Sequence, residues 1–184
     1  QAGSDRNRAQ LQAGLLNQGF QQAQQAAQQQ FQNQQGLAQL VPGLQGTDIS
    51  RSFCGLNDHR NLELSVKYAK SAGMISPASL CITHSSIHTV AYYLELVDRV
   101  VAYGADEICL KDMAGIGRPV MLGKIVKSIK TNHPHIIVQY HGHSGPGLSM
   151  ASMLEVAKAG ADYLDVAMEP LSWGMVHPDV ISVH

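Results

Sequence analysis

Apolar and polar positions repeat with two alternating periods from about residue 50 onward. Short apolar runs predict five strands, at residues 52–54, 80–83, 107–111, 136–140 and 163–168. Between them, apolar residues recur at steps of three and four and predict helices at residues 61–72, from about residue 92 to Gly104, and at residues 120–129 and 149–159. Strand and helix patterns that alternate at this spacing indicate a parallel sheet with right-handed crossovers.

The first 46 residues follow a different pattern. Gln and Ala dominate them, and a narrow apolar stripe recurs at helical spacing at Leu16, Phe20, Ala23, Ala27 and Phe31. The stripe predicts a helix that needs a partner surface, because a lone alanine-rich helix is marginal in water. The alternative is a disordered polar tract. A turn-rich seam at residues 42–46 divides the chain into a Gln/Ala-rich segment, residues 1–46, and an α/β unit, residues 47–184.

Net charge, the length of the apolar runs and the cysteine content exclude several classes of protein. The formal net charge of −1 argues against a general electrostatic grip on nucleic acid. No apolar run approaches the length needed to span a bilayer, and the N-terminus lacks the layout of a signal peptide. Cys54, Cys81 and Cys109 are odd in number, and two of them lie in strand-like runs. These features predict a cytoplasmic protein with reduced thiols.

Polar residues collect where the predicted strands end. In chain order they are Asn57 and Asp58, Thr83 and His84, Lys111 and Asp112, His141 and His143, and Glu169. A β/α barrel gathers its chemistry at the carboxyl ends of its strands, and no Gly-rich dinucleotide fingerprint follows any strand. The pattern therefore predicts an α/β fold of the TIM type, as a partial (β/α)8 barrel of about five C-terminal strands preceded by the Gln/Ala-rich helix.

His141 and His143 are the candidate metal ligands. Residues at i and i+2 on an extended segment point to the same side, so both imidazoles can reach one ion. Lys111 lies one βα unit earlier and can ligate only as a carbamate formed with CO2. The alternative is structural, with one histidine in a hydrogen bond and the other spare. Asp112 is expected to have a structural role, and the loop histidines, His177 among them, receive no role.

From residue 51 to residue 178 the sequence resembles the carboxyltransferase domain of biotin-dependent enzymes: pyruvate carboxylase, the oxaloacetate decarboxylase α subunit and the metal-containing transcarboxylase subunit. The string LKDMAG at residues 110–115 is nearly diagnostic of that family, and His141-Gly142-His143 matches its paired metal histidines. Residues 85–89 (SSIHT) are similar to its Ser-Pro-Val-His-Thr segment, and residues 159–167 match its final strand. Residues 1–46 resemble Gln-rich segments of phage virion proteins in composition only.

The resemblance implies roles for individual residues. Lys111 matches the lysine that becomes carbamylated and coordinates a divalent metal (Zn, Mn or Co), so it is both a catalytic residue and a metal ligand. His141 and His143 match two further ligands, and Arg51 falls where the family binds the keto-acid carboxylate. In such enzymes carboxybiotin, delivered on a separate carrier domain, gives up CO2 at the barrel mouth. The metal polarises the carbonyl oxygen of the keto acid and stabilises the enolate.

The same resemblance predicts a function and partners. The chain is expected to be a fragment of an enzyme that moves CO2 between carboxybiotin and pyruvate or oxaloacetate. Its expected partners are biotin carboxyl carrier and biotin carboxylase components, and another copy or the missing half of the barrel. The family's fourth ligand, an aspartate on a first strand, has no match in this sequence, so activity of the chain alone is not expected.

Two alternatives stay open from the sequence. In the first, the protein is structural or an assembly factor, its Gln-rich helix mediates the interaction, and the barrel fragment is inactive. In the second, it is an aldolase-type metal-dependent lyase or synthase, a class that also uses a His-x-His pair but generally lacks the LKDMAG string.

Overall fold

The computed structural model describes residues 46–184, together with Gln25. The strands are β1 (Ser52–Cys54), β2 (Pro77–Cys81), β3 (Glu107–Asp112), β4 (Ile137–Gly142) and β5 (Tyr163–Leu164). The helices are α1 (Arg60–Ser71), α2 (Val90–Ala102), α3 (Pro119–Asn132), α4 (Ser149–Lys158) and the short α5 (Val180–Val183). The predicted stripe of the Gln-rich segment lies outside the described residues.

The strands form one parallel sheet in the order β1-β2-β3-β4-β5, the same order as in the chain. A helix returns the chain to the same edge after each strand from β1 to β4, as in successive units of a β/α barrel. This arrangement confirms the predicted α/β class. The predicted strand at residues 163–168 is wrong in length, because β5 contains only two residues. Beyond it the chain leaves β4, and Ala167 forms an isolated bridge with Asp179.

One face of the sheet carries the apolar core. Side chains alternate between the faces of a strand, and the residues that point toward the helices are almost fully buried: Ala78, Leu80, Ile108, Leu110, Val138 and Tyr140. They pack with buried apolar residues of the flanking helices, such as Val97 on α2 and Ile125 on α3. The opposite face carries polar groups, including Glu107 and Gln139. A core on one face leaves the other face available for chemistry.

The amino end of the sheet is fixed by a repeated Gly-Ala-Asp segment. Gly104 and Gly160 end helices α2 and α4 with φ of 102° and 99°, values that favour glycine. Asp106 then accepts hydrogen bonds from the Ser76 amide and from Lys70 Nζ. Asp162 repeats the arrangement with the Val138 amide and Lys130 Nζ, each at 2.7 Å. Each aspartate therefore ties a neighbouring strand to the last turn of a helix.

Two sequence expectations concern the surroundings of the protein. Cys54, Cys81 and Cys109 are all buried and none forms a disulfide. Within the described residues, the structure contains no helix that is both long and apolar enough to cross a membrane.

Candidate metal centre

Three histidines meet at the carboxyl end of the sheet. His141 lies on β4, His143 follows that strand directly, and His177 comes from the segment before α5. One ring nitrogen from each lies within 4.8 Å of those of the other two. The Nε2 atoms of His141 and His143 are 3.2 Å apart, and the His177 ring centroid is 4.3 Å from that of His141 and 4.6 Å from that of His143. The three imidazoles can therefore reach one common point.

Each imidazole is oriented by a hydrogen bond through its other nitrogen. His143 Nδ1 lies 2.7 Å from the Met175 carbonyl, and His177 Nδ1 lies 2.9 Å from the Gly142 carbonyl. Carbonyl oxygens only accept, so both Nδ1 atoms carry the proton. His141 Nδ1 lies 2.7 Å from Asp165 Oδ2 in the same way. Neutral rings in this tautomer present Nε2 lone pairs, the state that a metal ligand requires.

A polar network on the face of the sheet opposite the apolar core supports His141. Arg51 donates from Nη1 to Asp165 Oδ2 (3.2 Å) and from Nη2 to Gln139 Oε1 (2.7 Å). Gln139 Nε2 in turn donates to Glu107 Oε2 at 2.8 Å. The hydrogen bond from His141 and the charge of Arg51 hold the pKa of Asp165 below its usual range, whereas burial raises the pKa of Glu107. Asp165 is thus kept as a carboxylate that can accept the His141 proton.

This network locates Arg51, the predicted substrate-binding residue. Its guanidinium contacts Asp165 and Gln139 and is partly exposed, so it lies on the same face of the sheet as His141. In this position Arg51 orients the carboxylate behind a candidate ligand. Its contact with a keto acid stays a prediction.

Lys111 lies beside the histidines in the sheet. It is the register partner of His141 across β3 and β4, so the two side chains leave the same face. Its Nζ stands 5.4 Å from the centroid of the Phe53 ring, an ammonium–aromatic contact. The structure thus brings the three predicted ligands to one end of the sheet, with Lys111 in contact with an aromatic ring.

The LKDMAG string shapes the loop that packs against His143. Asp112 Oδ1 and Oδ2 accept from the amides of Ile116 and Gly117 at 2.9 and 2.8 Å, so the carboxylate closes the loop after β3, the structural role expected for it. Gly115 has φ of 66°, and a Cβ there would collide with the His143 carbonyl and with Pro146. The string therefore fixes the loop after β3 through the backbone contacts of Asp112 and Gly115.

His177 was missed by sequence reasoning. It lies 34 positions after His143, and no short motif joins the two. Its segment is brought to the sheet by backbone pairing: the Ser144 amide donates to the Val176 carbonyl, and the Trp173 amide donates to the His177 carbonyl. Burial lowers the pKa of His177, which favours the neutral form that binds metals. A signal was present only in the topology, because residues after β5 return to the same end of the sheet.

A cavity of about 520 Å³ opens at the same end of the sheet. It is lined by residues of the loops that follow β2, β3 and β4: His84, Ile116, Arg118, Pro146 and Leu148. Arg118 is the N-cap residue of α3, and it brings a cationic group to this cavity. The volume suffices for a small organic acid.

The sequence matches the HMGL-like family over residues 58–171. A pyruvate carboxylase subunit of Methanocaldococcus jannaschii is 38% identical over 138 residues, which cover 75% of this chain and 24% of that protein. The methylmalonyl-CoA carboxyltransferase 5S subunit of Propionibacterium freudenreichii subsp. shermanii is 34% identical over 139 residues, 75% of this chain and 28% of that protein. The chain thus spans about a quarter of the length of these relatives.

A solved structure agrees with these relatives. The carboxyl transferase domain of Rhizobium etli pyruvate carboxylase, determined with pyruvate, superposes with a TM-score of 0.78 and 25% identity. The match covers 83% of this chain and 27% of that one. The recognised likeness and the barrel-type sheet are therefore confirmed. The chain belongs to the HMGL-like family, and it is similar to the carboxyl transferase domain of pyruvate carboxylase.

Proposed function

We propose that this chain is a section of a metal-dependent biotin carboxyltransferase that moves CO2 between carboxybiotin and a keto acid, pyruvate or oxaloacetate. The observation that carries the proposal is the convergence of His141, His143 and His177 at the carboxyl end of the sheet, beside Lys111. The names of the relatives support the reaction class, since they are pyruvate carboxylases and a carboxyltransferase subunit.

The donor set fits a divalent ion such as Zn, Mn or Co. Imidazole nitrogens are good ligands for these metals, and the Nδ1 hydrogen bonds leave Nε2 of His141 and His143 facing each other at 3.2 Å. Lys111 can join the set as a CO2-derived carbamate, because it leaves the sheet next to His141. When bound, the metal supplies Lewis-acid polarisation of a substrate carbonyl.

The chain's own residues have further parts in the proposal. Asp165 accepts the Nδ1 proton of His141 and fixes the direction of its Nε2 lone pair. Arg51 holds the Asp165 carboxylate in place. It lies on the face of the sheet opposite the apolar core, where it can also contact the carboxylate of a keto acid. Lys111 is placed to exchange a proton with the substrate, or to ligate as its carbamate.

The two outer strands of the sheet point to partners. Within residues 46–184, β1 and β5 each pair with a strand on one side only, whereas a closed barrel has no open edge. We propose that a further barrel portion or a second copy of the chain covers these edges. The biotin group is delivered by a carrier component and charged by a biotin carboxylase component.

The test is exchange of the pyruvate methyl protons with deuterium, followed by NMR in D2O, for the chain loaded with Zn²⁺, Mn²⁺ or Co²⁺. This reaction needs the keto acid to be activated but needs no biotin. The proposal expects exchange that depends on the metal and falls at least about tenfold in His143→Ala. His135→Ala is the matched control, because His135 is an exposed histidine at the amino end of β4. Equal exchange in both variants would contradict the proposal.

A further inference from the structure

The three-histidine cluster contains one more potential ligand than the His-x-His pair. His177 is contributed by a separate segment, and a ring nitrogen of it falls within the same 4.8 Å span as those of His141 and His143. Three imidazoles and an open position form a recurrent catalytic zinc arrangement. The geometry therefore offers a site whose protein ligands are complete without any other residue.

The facing imidazole nitrogens of the cluster favour a cation between them. The Nδ1 atoms of His143 and His177 are protonated, because each faces a backbone carbonyl, and that of His141 faces a carboxylate. Two Nε2 lone pairs then face each other at 3.2 Å, a distance at which two acceptors repel unless a positive group lies between them. A proton or a metal ion relieves this repulsion, and the third imidazole favours the metal ion.

His177 is held in place by its own structure. The Ser144 amide donates to the Val176 carbonyl at 2.7 Å, and His177 Nδ1 lies 2.9 Å from the carbonyl of Gly142. Both contacts tie the segment to the two residues that flank His143 in the chain. A backbone-anchored histidine loses little conformational freedom when it binds an ion, which favours ligation.

Lys111 is engaged elsewhere. Its Nζ faces the Phe53 ring at 5.4 Å, a contact that requires the ammonium charge. A carbamate would carry the opposite charge and would lose this attraction. The positive charge of Lys111 and the imidazole cluster thus have separate partners in this structure.

We infer that His141, His143 and His177 together hold a divalent cation, and that this binding does not require a carbamate on Lys111. The inference rests on the proposed function for the presence of a metal at this end of the sheet. It changes which residues hold the ion, because His177 replaces the Lys111 carbamate as the third protein ligand. Lys111 then remains an ammonium group at the same end of the sheet, available to bind or protonate an anionic substrate.

The experiment measures Co²⁺ and Zn²⁺ affinity of the full chain by competition with a chelator, in buffer depleted of CO2 and in buffer with added bicarbonate. The visible spectrum of bound Co²⁺ reports the number and type of ligands and needs no activity. The variants are His177→Ala and Lys111→Met, and His135→Ala is the control. Far-UV circular dichroism checks that each variant is folded.

The inference expects about one ion per chain in CO2-depleted buffer, with Lys111→Met within about threefold of the unaltered chain. Loss of a ligand should cost more than the 10- to 100-fold typical of its hydrogen-bonding partners, so His177→Ala should bind at least about 100-fold more weakly. If His177→Ala fails to fold, His177→Gln takes its place, because its amide can still donate to the Gly142 carbonyl while the imidazole ligand is gone, and it should show the same loss of affinity.

Two other results would overturn the inference in distinguishable ways. Binding that appears only with bicarbonate, is lost in Lys111→Met and survives in His177→Ala would make Lys111 the third ligand and leave the proposed function intact. Absence of metal binding under both conditions would remove the proposed function as well.

Discussion

The two ends of the sheet hold polar side chains in opposite ways. At the amino end, Asp106 and Asp162 each accept from a lysine and from a backbone amide, so that every charge has a partner of opposite sign or a donor. At the carboxyl end, the Nε2 atoms of His141 and His143 lie 3.2 Å apart, and because both rings donate from Nδ1, neither neutral ring has a proton for this contact. Satisfied polar groups stabilise a fold, whereas unsatisfied groups with a common focus favour a ligand.

This contrast separates stability from function within one sheet. In β/α barrels, polar residues at the amino ends of strands serve stability and those at the carboxyl ends serve chemistry. Substitutions at the amino end should therefore lower the free energy of unfolding and leave metal affinity unchanged. Substitutions at the carboxyl end should lower metal affinity and leave the free energy of unfolding unchanged, except where backbone packing couples the two properties.

The largest expected effect is at Gly115, where the two properties are coupled. A Cβ in Gly115→Ala would meet the His143 carbonyl and Pro146 at a left-handed backbone conformation, so we expect a loss of about 3 kcal/mol in the free energy of unfolding and weaker metal binding. Gly147→Ala is the control, because Gly147 has φ of 87° but nothing within 4 Å of its Cβ. It should cost only about 1 kcal/mol. Equal costs in urea unfolding would show that the close approach to His143 is unimportant.

The next effect is at the amino end. Asp162→Ala removes the acceptor for the Val138 amide and the partner of Lys130, and a buried donor without a partner costs about 2 kcal/mol. Urea unfolding should show this loss, while metal content stays unchanged. Glu63→Ala removes an exposed ion pair within α1 and should cost less than about 0.5 kcal/mol. A loss of metal in Asp162→Ala would contradict the claim that the amino end of the sheet affects stability and not metal binding.

A smaller effect is expected behind the candidate ligands. Asp165→Asn keeps the shape of the side chain but removes the charge that accepts the His141 proton, so metal affinity should fall about tenfold. Asp98→Asn is matched to it, because Asp98 Oδ1 lies at the same distance, 2.7 Å, from Nε2 of His133, a histidine outside the three-histidine cluster. Chelator competition should detect no change in that variant, and an equal loss in both would contradict the role given to Asp165.

The smallest effect is a dependence of stability on pH. Burial acts to raise the pKa of Asp162, but the hydrogen bonds from Lys130 and Val138 outweigh it and leave the pKa below the usual value. A carboxyl group whose pKa is lower in the folded state stabilises the fold at pH values above its pKa in the unfolded state, near 3.8. This contribution is lost as the pH falls through the pKa of the folded state. The difference in unfolding free energy between the unaltered chain and Asp162→Asn should be constant over the neutral range, from about pH 6 to about pH 8. It should shrink below about pH 4, and a constant difference down to acid pH would contradict the pKa shift.

Much of the fold could be predicted from the sequence because each strand is a compact apolar run with a clear helix after it. Strand β1 has the predicted bounds, and β3 differs by one residue. Strand β5 could not be predicted in length, because its end is set by pairing of Ala167 with Asp179 and not by its own residues. Tertiary context of this kind is invisible to local periodicity.

The site divides in the same way. That Lys111 and His141 lie side by side could be predicted, because β-strand geometry puts them on one face of adjacent strands, and His143 directly follows β4. His177 and Asp165 could not, because their positions depend on how the chain folds back after β5. The partnership of Arg51 with Asp165 spans 114 positions of sequence, beyond the reach of any motif.

Whether the carboxyl end of the sheet is a metal centre is decided by the metal content of the purified chain after Zn²⁺ loading and dialysis, measured beside His143→Ala and His135→Ala. We expect about one ion per chain, retained in His135→Ala and lost in His143→Ala, with both variants folded. A metal-free chain, or equal metal in the two variants, would contradict the assignment of the carboxyl end of the sheet as a metal centre.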